Sequence, residues 1–451
     1  MRASSTEPAP FGDRYHGCDC EHIKHISSKV LEITAGSTKP GSESGPVPAY
    51  AETAQREIES RGPELVELSS YLTKNPELGY EEFKAHAKLT EYLSQEGFDV
   101  SGYPHMPTAF RASYTHGSGG RIFGLNSEYD ALPAIGHACG HNLIAVSGIA
   151  ALVAMRQAMQ EHNLPGTVVL LGTPAEEGGG GKIKLLKAGA YEDLGACMML
   201  HPGPGLPGQG GIGPSLARLR VVIDFHGKPA HAAAAPWEGL NALDAAVNAY
   251  VGISTLRQQL KPTTRIHGVI SNGGGTAPNI IPARTQMIYA IRAETAGAVE
   301  STTKKIIDCV EGAARMAQCT VDMEFSDMYR DLVNDKALAY EYVSAMDQMY
   351  GYKVRTIFDP ANGIGASTDF GNVTYALPAC HPGYSIPTVP RGGNHTPEFT
   401  AAAASPGAHE ETWKASAAMA AVGLRFLSDD QFASQVRADF EEDQKRMAAE
   451  W

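Results

Sequence analysis

The chain has 451 residues, with 37 Lys+Arg against 50 Asp+Glu and a formal net charge of -13; this exceeds the size at which a single core usually stops growing, so two domains are expected. The acidic balance argues against nucleic acid or an anionic membrane as the main partner and favours a small molecule. No apolar run approaches the roughly 18 residues that span a bilayer, and Met1 to Phe11 is polar and Pro-containing, without the apolar centre of a signal peptide, so a soluble, cytoplasmic protein is expected.

Residues 1–50 are rich in Ser, Thr, Pro and Gly and read as a flexible N-terminal tail. The 7 Cys are odd in number and scattered, unlike a disulfide framework, so reduced thiols are the default. Cys18 and Cys20 flank Asp19 in the tail, but no second pair is evident to complete a metal site. From Ala51 to Gln95 the pattern is helical: Ile58, Leu65, Leu68 and Leu72 recur at helical spacing, Asn75 and Pro76 break the run, and Glu81 to Leu93 resumes it. Strands and helices then alternate to about Gly213, which implies an α/β fold with a mainly parallel sheet and helices on both faces. After Pro214 the order changes. Leu219–Phe225 reads as a strand, Leu240–Leu260 as a helix, Ile266–Ser271 and Thr285–Arg292 as strands, Val299–Ala317 as a helix and Val321–Phe325 as a strand. That βαββαβ order is the ferredoxin-like split arrangement, here an insertion. Alternation resumes near Asp335 and closes with a helix over Pro406–Leu427. The expected domains are therefore 51–214 with 329–451, and an inserted 215–328. There is no internal repeat.

Four apolar, strand-like stretches or their following turns end in residues that bind metals. Gly136 to Asn142 places Cys139 and His141 two apart; Arg121–Glu128 precedes Asp130; Thr167–Leu171 precedes Glu176 and Glu177; Cys197–Leu200 precedes His201. In open α/β sheets the site lies beyond the carboxyl ends of the strands, so these groups share one rim. Singly, each reads first as a satisfied core or surface residue; it is their common position at strand ends that turns the reading toward metal ligands. With His395, in a loop between Pro-rich segments, they can hold two divalent ions: Cys139 as a bridging thiolate, His141 and His201 on one ion, Glu177 and His395 on the other. The mixed S, N and O set suits zinc, with manganese or cobalt as neighbours, and sulfur argues against magnesium or calcium. Glu176 is then the general base, handing its proton to the leaving amine. Spacing alone also allows the two glutamates to exchange roles. Asp130 is placed to orient a ligand imidazole, or else to cap a turn.

The segments EYDALPAIGHACGHNLI (128–144), TPAEEGGGGK (173–182), GKPAHAAAAPWEGLNALDA (227–245), APNIIPARTQMIYAIR (277–292), STDFGNV (367–373) and NHTPEF (394–399) resemble the dinuclear-metal aminoacylase and exopeptidase family. Within it they are similar to the branch of aminobenzoyl-glutamate hydrolase and β-alanyl-lysine (Xaa-Arg) dipeptidase. The resemblance runs from about residue 60 to 430 and leaves the tail outside. It implies a phosphorylase/hydrolase-like metallo-exopeptidase core with an inserted lid that also dimerises, and it supports the ligands and glutamate roles above. It further implies that His231 reaches the partner subunit's site to stabilise an oxyanion, and that Asn279 and Arg292 hold the substrate's carboxylate and carbonyl. It places Gly273 to Gly275 in a loop near the substrate.

The expectation is a metal-dependent amidohydrolase or dipeptidase, a homodimer that cleaves the amide of a small N-acyl or N-aminoacyl amino acid. The same groups would serve a biosynthetic enzyme forming an amide or catalysing another condensation. A catalytically inactive binding or regulatory subunit is the reading from another class, and the intact set of Cys139, His141, Glu176, Glu177, His201 and His395 counts against it.

Overall fold

The computed structural model describes residues 48–449, so Cys18, Cys20 and the rest of the expected tail lie outside the described residues. Helix α1 (Ala49–Lys74) buries Ile58, Leu65, Leu68 and Leu72 along one stripe and stops at Asn75, before Pro76. Helix α2 (Phe83–Gln95) follows, as the resumed helical spacing predicts. A hairpin of β1 (Asp99–Tyr103) and β2 (Met106–His116) leads to β3 (Ile122–Glu128), α3 (His141–Glu161), β4 (Gly166–Thr173), α4 (Gly181–Lys187) and β5 (Ala196–Met198). Two short strands, β6 (His201–Pro204) and β7 (Gln209–Ile212), close this first stretch.

The second stretch is β8 (Ala217–His226), α5 (Ala242–Thr255), β9 (Arg265–Asn272), β10 (Arg284–Ala293), α6 (Ala296–Met316) and β11 (Thr320–Phe325). The chain then returns through α7 (Lys336–Tyr350), β12 (Lys353–Thr356), α8 (Phe370–Ala376), β13 (Ala379–Cys380) and β14 (Gly383–Ile386) to α9 (Pro397–Ala403), α10 (Pro406–Ser428) and α11 (Asp430–Ala449).

The main sheet has six strands in the order β1-β2-β4-β3-β5-β13. The pairs β3–β4, β3–β5 and β5–β13 are parallel, whereas β1–β2 and β2–β4 are antiparallel. Both faces are covered, and the period of two along β4 shows how. Val168 and Leu170 join the core formed with α1, α3 and α10, while Val169 and Leu171 join Leu185 of α4 and Phe370 and Val373 of α8.

The sequence reading needs correction at α3, which is long and apolar enough to cross a membrane by length and composition. Of its most apolar window 89% is buried inside the protein, so packing between α1, α10 and the sheet accounts for that character. A four-stranded sheet, β12-β7-β14-β6, and the terminal helix α11 are further elements beyond the expected set.

Residues of the second stretch form an antiparallel sheet in the order β11-β8-β10-β9. This is the expected βαββαβ unit. Its helices α5 and α6 bury one face, with Val221, Ile223, Phe225, Met287, Tyr289, Ile291, Ile306 and Val310 as a separate core. The helix expected over Leu240–Leu260 is shorter, because after Thr255 the chain tightens into a 3₁₀ turn at Leu256–Gln259.

Candidate metal centre

The parallel half of the main sheet brings the carboxyl ends of β3, β4 and β5 together, and the segments leaving those ends carry the reactive side chains. Cys139 sits just before α3 and His141 is its first residue. Between them Gly140 takes a left-handed φ of 88°, and a Cβ there would lie 2.5 Å from Pro202 Cγ. Only glycine allows this approach, which brings the Cys139 turn against the residue following His201.

The thiol and the two imidazoles then meet. Cys139 Sγ is 3.4 Å from His201 Nε2. His141 Nδ1 faces the Asp130 carbonyl at 2.8 Å and its Oδ1 at 3.1 Å, which turns Nε2 inward. Asp130 Oδ2 accepts from the Glu177 backbone N–H at 3.0 Å. Glu177 Oε1 lies 3.3 Å from His395 Nε2 and 3.9 Å from His141 Nε2. His395 stands on a left-handed backbone with φ of 68°, held by its own N–H donating to the Ala138 carbonyl at 2.8 Å and by Asn394 Nδ2 donating to the Cys139 and Pro202 carbonyls.

Two groups of three ligand-type residues result, Cys139 with His141 and His201, and Cys139 with Glu177 and His395, each with ligand atoms within 4.8 Å of one another. They share the Cys139 sulfur. Ligand atoms on one tetrahedral zinc lie roughly 3.3–3.8 Å apart, given bonds of about 2.0–2.3 Å, and the shorter contacts above match that spacing. His141 Nε2 and Glu177 Oε1 are buried without a hydrogen-bond partner, which is costly unless something else meets them. Burial pushes the Cys139 thiol up to about 12, so a cation at contact is what would hold it as a thiolate at neutral pH. The donor set fits a pair of divalent ions.

Glu176 is next to this cluster. Its carboxylate comes within the same 4.8 Å limit of His141 and Glu177 on one side and of Glu128 and Asp369 on the other. Burial first, and then the charges of Glu128, Asp369 and Glu177, raise its proton affinity well above the carboxylate range. Lys182 Nζ donates to Glu128 and, at 2.7 Å, to Asp369 Oδ1, with all three side chains buried. The Asp369 carboxylate also accepts the Lys182 backbone N–H at 2.9 Å. Ala175 starts the turn with φ of 57°, and its N–H is held by the buried Glu82 carboxylate at 2.9 Å.

One cavity of about 1360 Å³ opens over the cluster, lined among others by Cys139, Glu176, His201, Arg292 and His395. Arg292 Nη1 donates to Ser367 Oγ at 2.9 Å. His231 and Asn279 lie elsewhere. Their loops are paired, with Ala232 N–H donating to the Asn279 carbonyl at 3.0 Å, and both side chains are exposed and do not line the cavity. The His231 ring instead accepts from the Ala233 and Ala234 backbone N–H groups. Gly274 and Gly275, in the glycine run Gly273–Gly275, have positive φ.

The residue-by-residue reading passes over Glu128, Lys182, Asp369 and His381. The first three lie inside the segments that carry the family resemblance, at the head of EYDALP, the end of EEGGGGK and the centre of STDFG, and nothing in those segments by itself marks them as meeting. His381 lines the cavity with its ring centroid 5.8 Å from that of His201, and its Nε2 is buried without a partner.

The sequence model of the family described as "Peptidase family M20/M25/M40" matches residues 124–408. The Xaa-Arg dipeptidase of Mus musculus is 41% identical over 399 residues, which cover 86% of this chain and 91% of that protein. One of the p-aminobenzoyl-glutamate hydrolase subunits of Escherichia coli (strain K12) is 32% identical over 286 residues, 59% of each chain. Among solved structures, an aminobenzoyl-glutamate utilization protein from Klebsiella pneumoniae shares the fold with a TM-score of 0.66 at 18% identity, covering 83% of this chain and 98% of that one. A Bacillus subtilis protein described as a dinuclear metal binding peptidase has a TM-score of 0.62 at 21% identity, covering 82% and 99%.

Proposed function

Because this chain belongs to peptidase family M20/M25/M40 and is a hydrolase of amide or peptide bonds, we propose that it releases the terminal amino acid from a dipeptide or small N-acyl amino acid at a two-metal centre built on Cys139. One observation carries this reading: two ligand groups share a single sulfur, and a buried carboxyl, Glu176, stands beside both in the same cavity. Cys139, His141 and His201 would hold one ion and Cys139, Glu177 and His395 the other, zinc being favoured by the S and N donors. Such ions supply polarisation of the amide carbonyl and of water.

The chain's own groups do the rest. Glu176, as a carboxylate beside the proposed ions, takes a proton from the attacking water and returns it to the departing amine. Asp130 fixes the His141 ring and, through the Glu177 N–H, the position of the adjacent carboxylate. Arg292 holds the substrate's carboxylate.

A homodimer completes the site in this proposal. His231 and Asn279 do not line the cavity of their own chain, which fits their delivery to the partner subunit. The second sheet exposes what a partner would cover: Val247, Tyr250 and Val251 on α5 are 45%, 44% and 55% exposed, and Val269 on the edge strand β9 is 59% exposed. Exposed apolar side chains and an unpaired edge strand are each common at association surfaces.

Elemental analysis together with a panel of dipeptides and N-acyl amino acids tests the reading. Close to two divalent ions per chain and chelator-sensitive release of a free amino acid are expected. One ion or none in active, unchelated protein would sink the two-metal centre.

A further inference from the structure

Strands β8 and β10 place Arg218 directly opposite Arg292, and on the other side of β10 the register puts Arg265 opposite Arg292 as well. Residues opposite one another project from the same face of a sheet. Three arginines therefore form one row across three strands. The row lies on the face turned away from α5 and α6, since β10 buries Met287, Tyr289 and Ile291 against those helices and Arg292 alternates with them.

Like charges directly opposite destabilise a sheet, and among the described residues no carboxylate forms an ion pair with any of the three. Arg265 is occupied by the Pro262 and Thr264 carbonyls. Arg218 lies 4.5 Å from the Tyr329 ring centroid, and Arg292 reaches the neutral Ser367 hydroxyl. Burial and then the Arg218 charge lower the proton affinity of Arg292. Of the row, Arg218 and Arg292 line the cavity together with Cys139, Glu176 and His201. Two adjacent, uncompensated guanidinium groups facing a cavity make an anion site.

We propose that Arg218 is a second substrate-binding arginine, which grips with Arg292 one free carboxylate on the leaving amino acid. This rests on the amide-hydrolase reading above. A carboxylate's two oxygens offer about four lone-pair sites, enough for two planar forks. Tyr329 fixes the distance to the chemistry: its hydroxyl donates to the Glu176 carbonyl at 2.8 Å and accepts from the Gly180 N–H at 2.8 Å, so Arg218 rests on a ring bonded to the turn that carries Glu176. A carboxylate drawn to Arg218 is thereby placed in register with that turn.

The test compares metal-loaded wild type with Arg218→Gln, Arg218→Lys and, as a control, Arg220→Gln, which is on the same face of β8 but outside the cavity. Kinetics are measured on the panel member that wild type hydrolyses fastest and on its C-terminal carboxamide. For the free acid, Arg218→Gln should raise KM by about 10- to 100-fold with kcat within about threefold, the loss expected for a charge-assisted contact made equally in ground and transition states. Arg218→Lys should recover part of this, Arg220→Gln should match wild type, and the carboxamide should be a weak substrate that Arg218→Gln leaves unchanged. Removing one of three like charges should keep the melting temperature level or raise it. An unchanged KM for the free acid overturns the proposal, as does an equal rise for acid and carboxamide, or a fall in melting temperature that Arg218→Lys does not restore. If wild type hydrolyses no panel member, the amide-hydrolase reading itself has failed and the inference falls with it.

Discussion

The strand ends of the main sheet and the arginine row at one end of the second sheet's open face treat charge in opposite ways; toward the other end of that face Arg284 still meets Asp224 at 2.8 Å. Beyond β3 and β4, Glu128 and Asp369 share the buried Lys182, and His141 meets Asp130. Across the second sheet, Arg218, Arg292 and Arg265 stand in a row with no acid among the described residues. The first region is arranged internally before anything binds, whereas the second leaves positive charge for a ligand to answer. A charge that burial has already partnered belongs to the scaffold of the site; one left unpartnered beside a cavity marks where an outside molecule enters.

The contrast is broken most severely at the glutamates. Glu177→Gln should lose metal and with it all measurable turnover, while Glu176→Gln should keep the metal and substrate affinity and lose kcat by on the order of 10²- to 10⁴-fold. Metal analysis beside steady-state kinetics separates the two; metal loss in the Glu176 variant with retention in the Glu177 variant reverses the roles. Next in size is Lys182→Met, which strands Glu128 and Asp369 as buried, like-charged neighbours and should lower stability by about 3–5 kcal/mol. Denaturant unfolding measures this. A loss under about 1 kcal/mol would mean that the carboxylates find another partner or take up protons cheaply.

A mixture of His231→Ala and Glu176→Gln chains tests the dimer. Each variant alone is expected to be inactive, yet heterodimers should contain one site with an intact Glu176 and an intact His231 from the partner subunit. Recovered activity after verified subunit exchange is the expected outcome; none at any ratio places His231 within its own chain or outside the chemistry.

Glu82 supplies the smallest effect and the exception to the first region's rule. It is buried beside Thr108 and the Ala175 N–H, no cation pairs with it among the described residues, and burial pushes its carboxyl up from 4.5 to about 7. With the folded-state value above the unfolded one, its stability is fully present below about pH 4.5 and is lost as pH rises through about 7. Glu82→Gln should therefore be more stable than wild type at pH 8, on the order of 1–3 kcal/mol, and the gap should close near pH 5. Melting curves at the two pH values decide it, and a gap independent of pH would show that Glu82 is not the titrating group.

What could be read beforehand follows from how far each signal reaches along the chain. The βαββαβ unit was legible because its strands alternate, as β10 does from Thr285 to Ala293, and its helices carry an apolar stripe. The sheet of β6, β7, β12 and β14 was not, since segments such as Gln209–Ile212 and Gly383–Ile386 are four residues long and glycine-bearing. Cys139, His141, Glu177 and His201 could be placed because each follows a strand and strand ends gather on one rim. The Lys182 cluster escaped because its bonds join residues 54 and 187 positions apart, and no local pattern announces such a meeting. The arginine row needed the register of β8, β9 and β10, which a sequence of alternating residues does not specify.

Asp130 has a consequence beyond orientation. One oxygen faces the His141 ring and the other accepts the Glu177 amide, so a single carboxylate touches one group from each half of the metal centre. Whatever settles the imidazole also settles the turn behind the second half. Occupancy of either half should thus bias the affinity of the other, and linkage makes the factor the same in both directions. In the proposed two-metal centre the halves should therefore fill as a cooperative unit, with Asp130 as the element through which each is sensed by its neighbour.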